Sequence, residues 1–121
     1  MQKIEFGSTG LVIEKNGFGC LPIQRISETE AVKLLHKACD GGINFFDTAI
    51  GYQSGTSEQY LGRALRDFAR REEVVVATKF LPRTNEEIAD GISGQEHIRR
   101  MVDKSLQNLG MDYIDLYIYH M

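Results

Sequence analysis

The chain has 121 residues, with 14 Lys and Arg against 17 Asp and Glu and a formal net charge of −3 at pH 7. That length buries a real core and is read as one domain over 1–121, and the mildly acidic balance, with no basic run to track a phosphate backbone, argues against nucleic acid as a partner. No apolar stretch approaches the roughly 20 residues that cross a bilayer, the first residues lack a signal-peptide pattern, and Cys20 and Cys39 fall in no paired spacing, so reduced thiols in a cytoplasmic setting are expected.

Taken in chain order, residues 2–6 and 11–14 alternate apolar and polar side chains around Ser8-Thr9-Gly10, the pattern of a β-hairpin. Residues 17–21 read as a short strand ending on glycine-rich backbone. Ser27 opens a helix with Glu30 three residues on, a capping box, and Gly41-Gly42 stops it. Its inward stripe is Ala31, Leu34, Leu35 and Ala38. A strand at 43–46 follows, then a helix starting near Thr56 or Ser57 that carries Tyr60, Leu61, Ala64, Leu65 and Phe68 inward. The β-branched run at 74–78 predicts a strand buried on both faces. After Pro82 and a helical turn around 86–90, Ser93 and Glu96 form a second capping box. Ile98, Met101, Val102, Leu106 and Leu109 then recur at helical spacing up to Gly110, and 113–119 is the last predicted strand.

Strands alternating with helices predict a parallel sheet with right-handed crossovers. A doubly wound dinucleotide fold would carry G-x-G-x-x-G after its first strand. Here Gly17-Phe18-Gly19-Cys20-Leu21-Pro22 lacks the third glycine and has a proline where the helix should start. The pattern fits the α/β class in its (β/α)₈ TIM-barrel form. Such a barrel needs about 250 residues, so the chain is expected to hold the first four strand–helix units behind an N-terminal hairpin.

Ionisable residues end three of the predicted strands. Asp47 follows 43–46, Lys79 follows 74–78 and His120 follows 113–119, while Tyr52 lies five residues past Asp47 in a glycine-bearing loop. Barrel enzymes present their chemistry at that end of the strands. Each residue alone has a duller reading: Asp47 as a turn former, Tyr52 as a packed loop aromatic, Lys79 as a snorkelling side chain, His120 as a solvated one. The set of four complementary groups at one end of one sheet points to an enzyme. His36 and His97 lie on predicted helices away from the strand ends and are read as surface residues. The methionines are scattered, with Met101 in the core, so no metal or haem site is indicated. Alternation back from His120 leaves Asp115 and Tyr117 facing the helices, where the carboxylate needs a polar partner.

These residues also carry a family resemblance. With Gly7-Ser8-Thr9-Gly10-Leu11, Gly17-Phe18-Gly19-Cys20, Gly42-Ile43-Asn44-Phe45-Phe46-Asp47-Thr48-Ala49, Tyr52, Ser57-Glu58, Leu61-Gly62-Arg63-Ala64-Leu65, Ala77-Thr78-Lys79 and the segment from Met111 to His120, the sequence resembles the N-terminal half of an aldo-keto reductase. The resemblance implies a catalytic tetrad of Asp47, Tyr52, Lys79 and His120, and NADPH as hydride donor, with Gly19, Cys20, Leu21 and Asp47 at cofactor-side positions. The implied activity is reduction of an aldehyde or ketone to an alcohol. The chemistry agrees: a phenol, with a reference pKa near 10, is a poor acid at neutral pH unless an ammonium such as Lys79 stabilises its conjugate base. Asp47 would hold the lysine charged and oriented, and His120 would bond the carbonyl oxygen.

In that family most cofactor contacts come from later loops, so the chain by itself is expected to turn over weakly or not at all. Two other readings stand beside the reductase: a non-catalytic nucleotide-binding or regulatory subunit, and a structural half-barrel. Open parallel edges are expected to favour self-association, with two copies closing an eight-stranded barrel as a homodimer.

Overall fold

The computed structural model of the chain describes residues 3–5, 7–14, 17–20, 25–51, 55–68 and 70–120. Strands β1 (Lys3–Glu5) and β2 (Val12–Glu14) pair antiparallel in the expected hairpin. Strands β3 (Phe18–Gly19), β4 (Phe45–Asp47), β5 (Val75–Phe80) and β6 (Leu116–Tyr119) form a parallel sheet in that order. A doubly wound sheet reverses its strand order at a switch point; this one runs in chain sequence. Right-handed crossovers then place the connecting helices on one face, where α1 (Glu28–Asp40) packs on α2 (Thr56–Phe68) and α2 on α4 (Gly94–Leu109). This is the wall of a barrel.

The helix ends follow from local chemistry. Ser27 Oγ accepts the Glu30 N–H at 3.2 Å, Ser93 Oγ accepts the Glu96 N–H at 3.1 Å, and Gly110 closes α4 in the left-handed region at φ 64°. The reciprocal bond that completes a capping box is instead made at α3 (Asn85–Ala89). There Thr84 and Glu87 cap each other's backbone N–H groups.

Phe46, Leu35, Leu61, Val76 and Leu109 are fully buried between sheet and helices, each worth roughly 1.5–3 kcal/mol in apolar transfer. The helices cross tightly where Gly62 lies: a side-chain carbon there would sit 2.1 Å from the Leu109 carbonyl oxygen. Beneath the sheet, Asn44 Nδ2 donates to the Val12 carbonyl at 3.1 Å and ties the hairpin to the amino end of β4. No described helix is long and apolar enough to cross a membrane.

Four expectations are corrected. The inward stripe of α1 runs through Ala31, Leu35 and Ala38, with Leu34 exposed. The inward stripe of α4 runs through His97, Ser105 and Leu109, with Ile98 exposed and Met101 only partly buried. His97 is not a surface residue: it is 4% exposed, because Nδ1 meets Glu87 Oε2 at 2.9 Å and Nε2 meets the Leu81 carbonyl at 2.6 Å. Strand β6 begins at Leu116 and not at 113, because Asp115 turns its carboxylate onto the β5 backbone. The missing partner of Asp115 is Arg71, whose Nη2 donates to Oδ2 at 2.8 Å, while the Val76 N–H donates to the same oxygen at 2.9 Å.

Candidate active site

Register decides which side chains share a face. Gly19 lies level with Asp47, Asp47 with Ala77, and Lys79 with Ile118. Side chains alternate along a strand, so Asp47 and Lys79 project from the same face of the sheet, away from the helices. His120 follows β6 by one residue, and its N–H donates to the Phe80 carbonyl at 2.8 Å, which prolongs the ladder. Two residues beyond Ile118, it falls on that face as well. The other face carries Val76, Thr78 and Phe80, of which Val76 and Thr78 are fully buried towards the helices.

Lys79 Nζ donates to Asp47 Oδ1 at 2.6 Å and to the Thr48 carbonyl at 2.9 Å. The two partners differ in access. The lysine side chain is 15% exposed and the aspartate 46%, so the ammonium is enclosed while the carboxylate opens to solvent. A charge held this way is presented to whatever binds next to it at a fixed position and needs no reorganisation.

Cys20 ends the same row. Burial pushes its thiol well above the usual range, the Asp47 charge adds to the rise, and Lys79 opposes it. It is an inert side chain, and its backbone is engaged as well: its N–H donates to the Asp47 carbonyl at 2.8 Å and its carbonyl accepts Ser57 Oγ at 2.8 Å. Gly19 is exposed, with open space where a side chain would project. This exposed glycine lies level with the half-exposed carboxylate of Asp47. Tyr52 and Leu21 lie outside the described residues. Among the described residues no group of three or more His, Cys, Asp or Glu could hold a metal ion.

Sequence reasoning missed the polar layer directly behind these residues. Ser57 and Glu58, at the start of α2, are wholly buried, as are Thr48 and Thr78. Glu58 accepts Thr78 Oγ1 at 2.6 Å and Asn108 Nδ2 at 3.0 Å. Gly55, at φ 92°, passes so close to Asn108 that a side chain there would collide with the amide. On the same side Tyr117 faces Glu58: burial pushes its phenol up to about 12 and the carboxylate adds to the rise, against a lowering by Ser105, so it is a poor proton donor. The available signal was position. Ser57 and Glu58 lie one turn before Leu61, on the stripe a globular helix turns inward, where a charge is kept only if partnered.

The chain matches the Aldo/keto reductase family over residues 3–121. It is 35% identical over 126 residues to an uncharacterized oxidoreductase, YqkF, of Bacillus subtilis (strain 168), with 99% of this chain and 39% of that protein covered. The holo form of aldo-keto reductase AKR11C1 from Bacillus halodurans superposes with a TM-score of 0.83 at 35% identity, over 99% of this chain and 40% of that one. An aldo-keto reductase from Klebsiella pneumoniae, solved in complex with NADPH, superposes with a TM-score of 0.80 at 26% identity, over 98% of this chain and 39% of that one. These neighbours are (β/α)₈ barrels, and the sheet and helices described above form part of such a barrel. The chain spans about two fifths of the length of the relatives it matches.

Proposed function

Because the chain belongs to the aldo/keto reductase family, we propose that it supplies the proton-donating half of an NADPH-dependent carbonyl reductase, with Asp47, Tyr52, Lys79 and His120 as its catalytic residues. One observation carries this reading: an enclosed ammonium, pinned by a half-exposed carboxylate, on the face and at the strand end where His120 also lies. Gly19, Cys20, Leu21 and Asp47 would hold the nicotinamide end of the cofactor, which supplies a hydride when bound; the open backbone at Gly19 and the accessible Asp47 oxygens suit that role.

The residues of this chain manage the proton. Tyr52 donates it to the oxygen of an aldehyde or ketone. Lys79 stabilises the phenolate left behind, which brings the phenol down from its ordinary value near 10. Asp47 and the Thr48 carbonyl keep the ammonium aimed, and His120 fixes the carbonyl oxygen by a hydrogen bond. Tyr117, held towards the helices with its phenol raised, cannot substitute for Tyr52.

The test is NADPH consumption with a panel of aldehydes and ketones, in this chain and in any longer protein that carries it. Turnover that falls at least about a thousandfold in Tyr52→Phe supports the assignment. Turnover unaffected by Tyr52→Phe, or cofactor binding with no turnover on any carbonyl, removes it.

A further inference from the structure

Thr48 and Ser57 have no part in the proton path, yet both are wholly buried against it. Ser57 Oγ donates to the Cys20 carbonyl at 2.8 Å, which spends its single proton. In the 2.8 Å contact between the two hydroxyls, Thr48 Oγ1 must therefore be the donor and Ser57 Oγ the acceptor. The other polar groups of Thr48 are engaged as well: its N–H donates to the Ala77 carbonyl at 2.8 Å and its carbonyl accepts Lys79 Nζ at 2.9 Å. One residue thus joins the end of β4 to β5, to the ammonium and, through Ser57, to α2 and the end of β3. The pair also bridges the two ends of the connection 49–56, which carries Tyr52 in the sequence.

The geometry points to Thr48 and Ser57 as positioning residues: a directed hydroxyl chain, from Thr48 through Ser57 to the Cys20 carbonyl, that fixes the Thr48 carbonyl as the second acceptor of the Lys79 ammonium. The Thr48 N–H lies in the peptide plane before its Cα and the carbonyl in the plane after it, so the bond to Ala77 alone does not hold the carbonyl. Anchoring the side chain as well fixes the Cα between the two planes and narrows the swing of the carbonyl on the lysine. A buried hydroxyl without a partner is costly: loss of the Ser57 hydroxyl strands the Thr48 donor, and loss of the Thr48 hydroxyl leaves Ser57 tied to the Cys20 carbonyl alone. The effect of this device on turnover rests on the reductase reading; its effect on the ammonium does not.

The decisive measurement is solvent exchange of the Lys79 ammonium protons by NMR in the full protein. Thr48→Val keeps the shape and removes the hydroxyl, and Ser57→Ala removes its partner; loss of one hydrogen bond's worth of restraint speeds exchange about tenfold in each. Thr48→Ser, which keeps the hydroxyl, stays within about twofold of the parent, as does Asp115→Asn, which weakens the sheet at its opposite end and controls for general loss of stability. In turnover, Thr48→Val lowers kcat about tenfold with little change in KM, and Thr48→Ser restores it. Unchanged exchange in Thr48→Val and Ser57→Ala overturns the positioning role whether or not the protein reduces carbonyls. Faster exchange combined with full turnover in Tyr52→Phe upholds the positioning role and sinks only the reductase reading. Should Ser57→Ala fail to fold, Thr48→Val against Thr48→Ser decides the matter alone.

Discussion

Two ion pairs sit at opposite ends of the same sheet and use their charges differently. At the amino end, Arg71 and Asp115 are both enclosed, at 21% and 10% exposure. Every oriented contact goes to the protein: Arg71 also donates to the Val74 and Tyr113 carbonyls and lies 3.9 Å from the Tyr113 ring centre, and Asp115 takes the Val76 N–H. At the carboxyl end Lys79 is equally enclosed, but its partner Asp47 is left half open. The first pair is a fastener that fixes where β6 starts. The second leaves its carboxylate open to solvent at the strand ends, as the proposed function requires. The contrast matches the division of labour in barrels, with stability at the amino end of the strands and chemistry at the other.

Removing the lysine should separate the two roles most sharply. If the proposed function holds, Lys79→Met lowers kcat/KM for carbonyl reduction by about a thousandfold or more, yet costs only about 1 kcal/mol of stability, since the stranded Asp47 is hydrated. Steady-state kinetics beside a urea titration reads both quantities. A collapse of the fold with the activity would show that the mouth pair is a fastener too.

The next effect in size lies in the helix layer. Gly62 lies where α2 crosses α4, and a methyl group there would overlap the Leu109 backbone, which cannot move aside as a flexible side chain could. Gly62→Ala should cost at least about 3 kcal/mol, a large share of the stability of a small domain. The urea midpoint measures it; a midpoint within error of the parent would mean that the helices can slide apart freely.

At the base, Asp115→Ala leaves Arg71 largely enclosed without its carboxylate and takes a partner from the Val76 N–H. The expected loss is about 3 kcal/mol in denaturant, because a stranded charge costs more than the pair contributed. Catalysis per folded molecule should stay near the parent value. A large drop in kcat at full folding would break the comparison at its quiet end.

How much of this was legible follows from what each signal encodes. Period and capping gave α1, α2 and α4, because Ser27, Ser93, Gly41 and Gly110 each act within a few residues. The ends of β4 and β5 were readable to within a residue or two because an ionisable group stands where each apolar run stops. The start of β6 was not, since Tyr113 and Ile114 are good strand residues displaced by a contact from Arg71, 44 positions away from Asp115 in sequence. The polar layer failed for the same reason. Ser57 and Glu58 look like ordinary first-turn residues until Cys20, Thr48, Thr78 and Asn108 arrive from four other segments. His97 was misplaced because a helical position away from the strand ends was taken for exposure, whereas Glu87 and the Leu81 carbonyl, both from outside α4, hold the ring inside.

That histidine offers the smallest and most selective test. His97 lies at the mouth end of the sheet but is buried like the base pair, with Phe80 against its ring and acceptors at both nitrogens, Leu81 O and Glu87 Oε2. Only the imidazolium donates to both at once. Burial opposes that charge, but the Leu81 carbonyl and the Glu87 carboxylate outweigh it, together with the nearby Arg83 guanidinium that also opposes it, and the net displacement is upward. A raised value stabilises the fold fully below the ordinary histidine pKa of about 6.5 and loses that contribution as pH climbs through the folded value. Glu87 is displaced downward, chiefly by its bond from His97, so its share is present above the ordinary carboxylate range and fades only in acid. The Tm gap between the parent and His97→Gln should therefore be widest near about pH 6 and shrink towards about pH 9. The gap for Asp115→Ala should stay flat over that interval, where carboxylates and guanidinium groups do not ordinarily change charge. A flat gap for His97→Gln would mean that the ring is neutral in the fold and donates through one nitrogen alone.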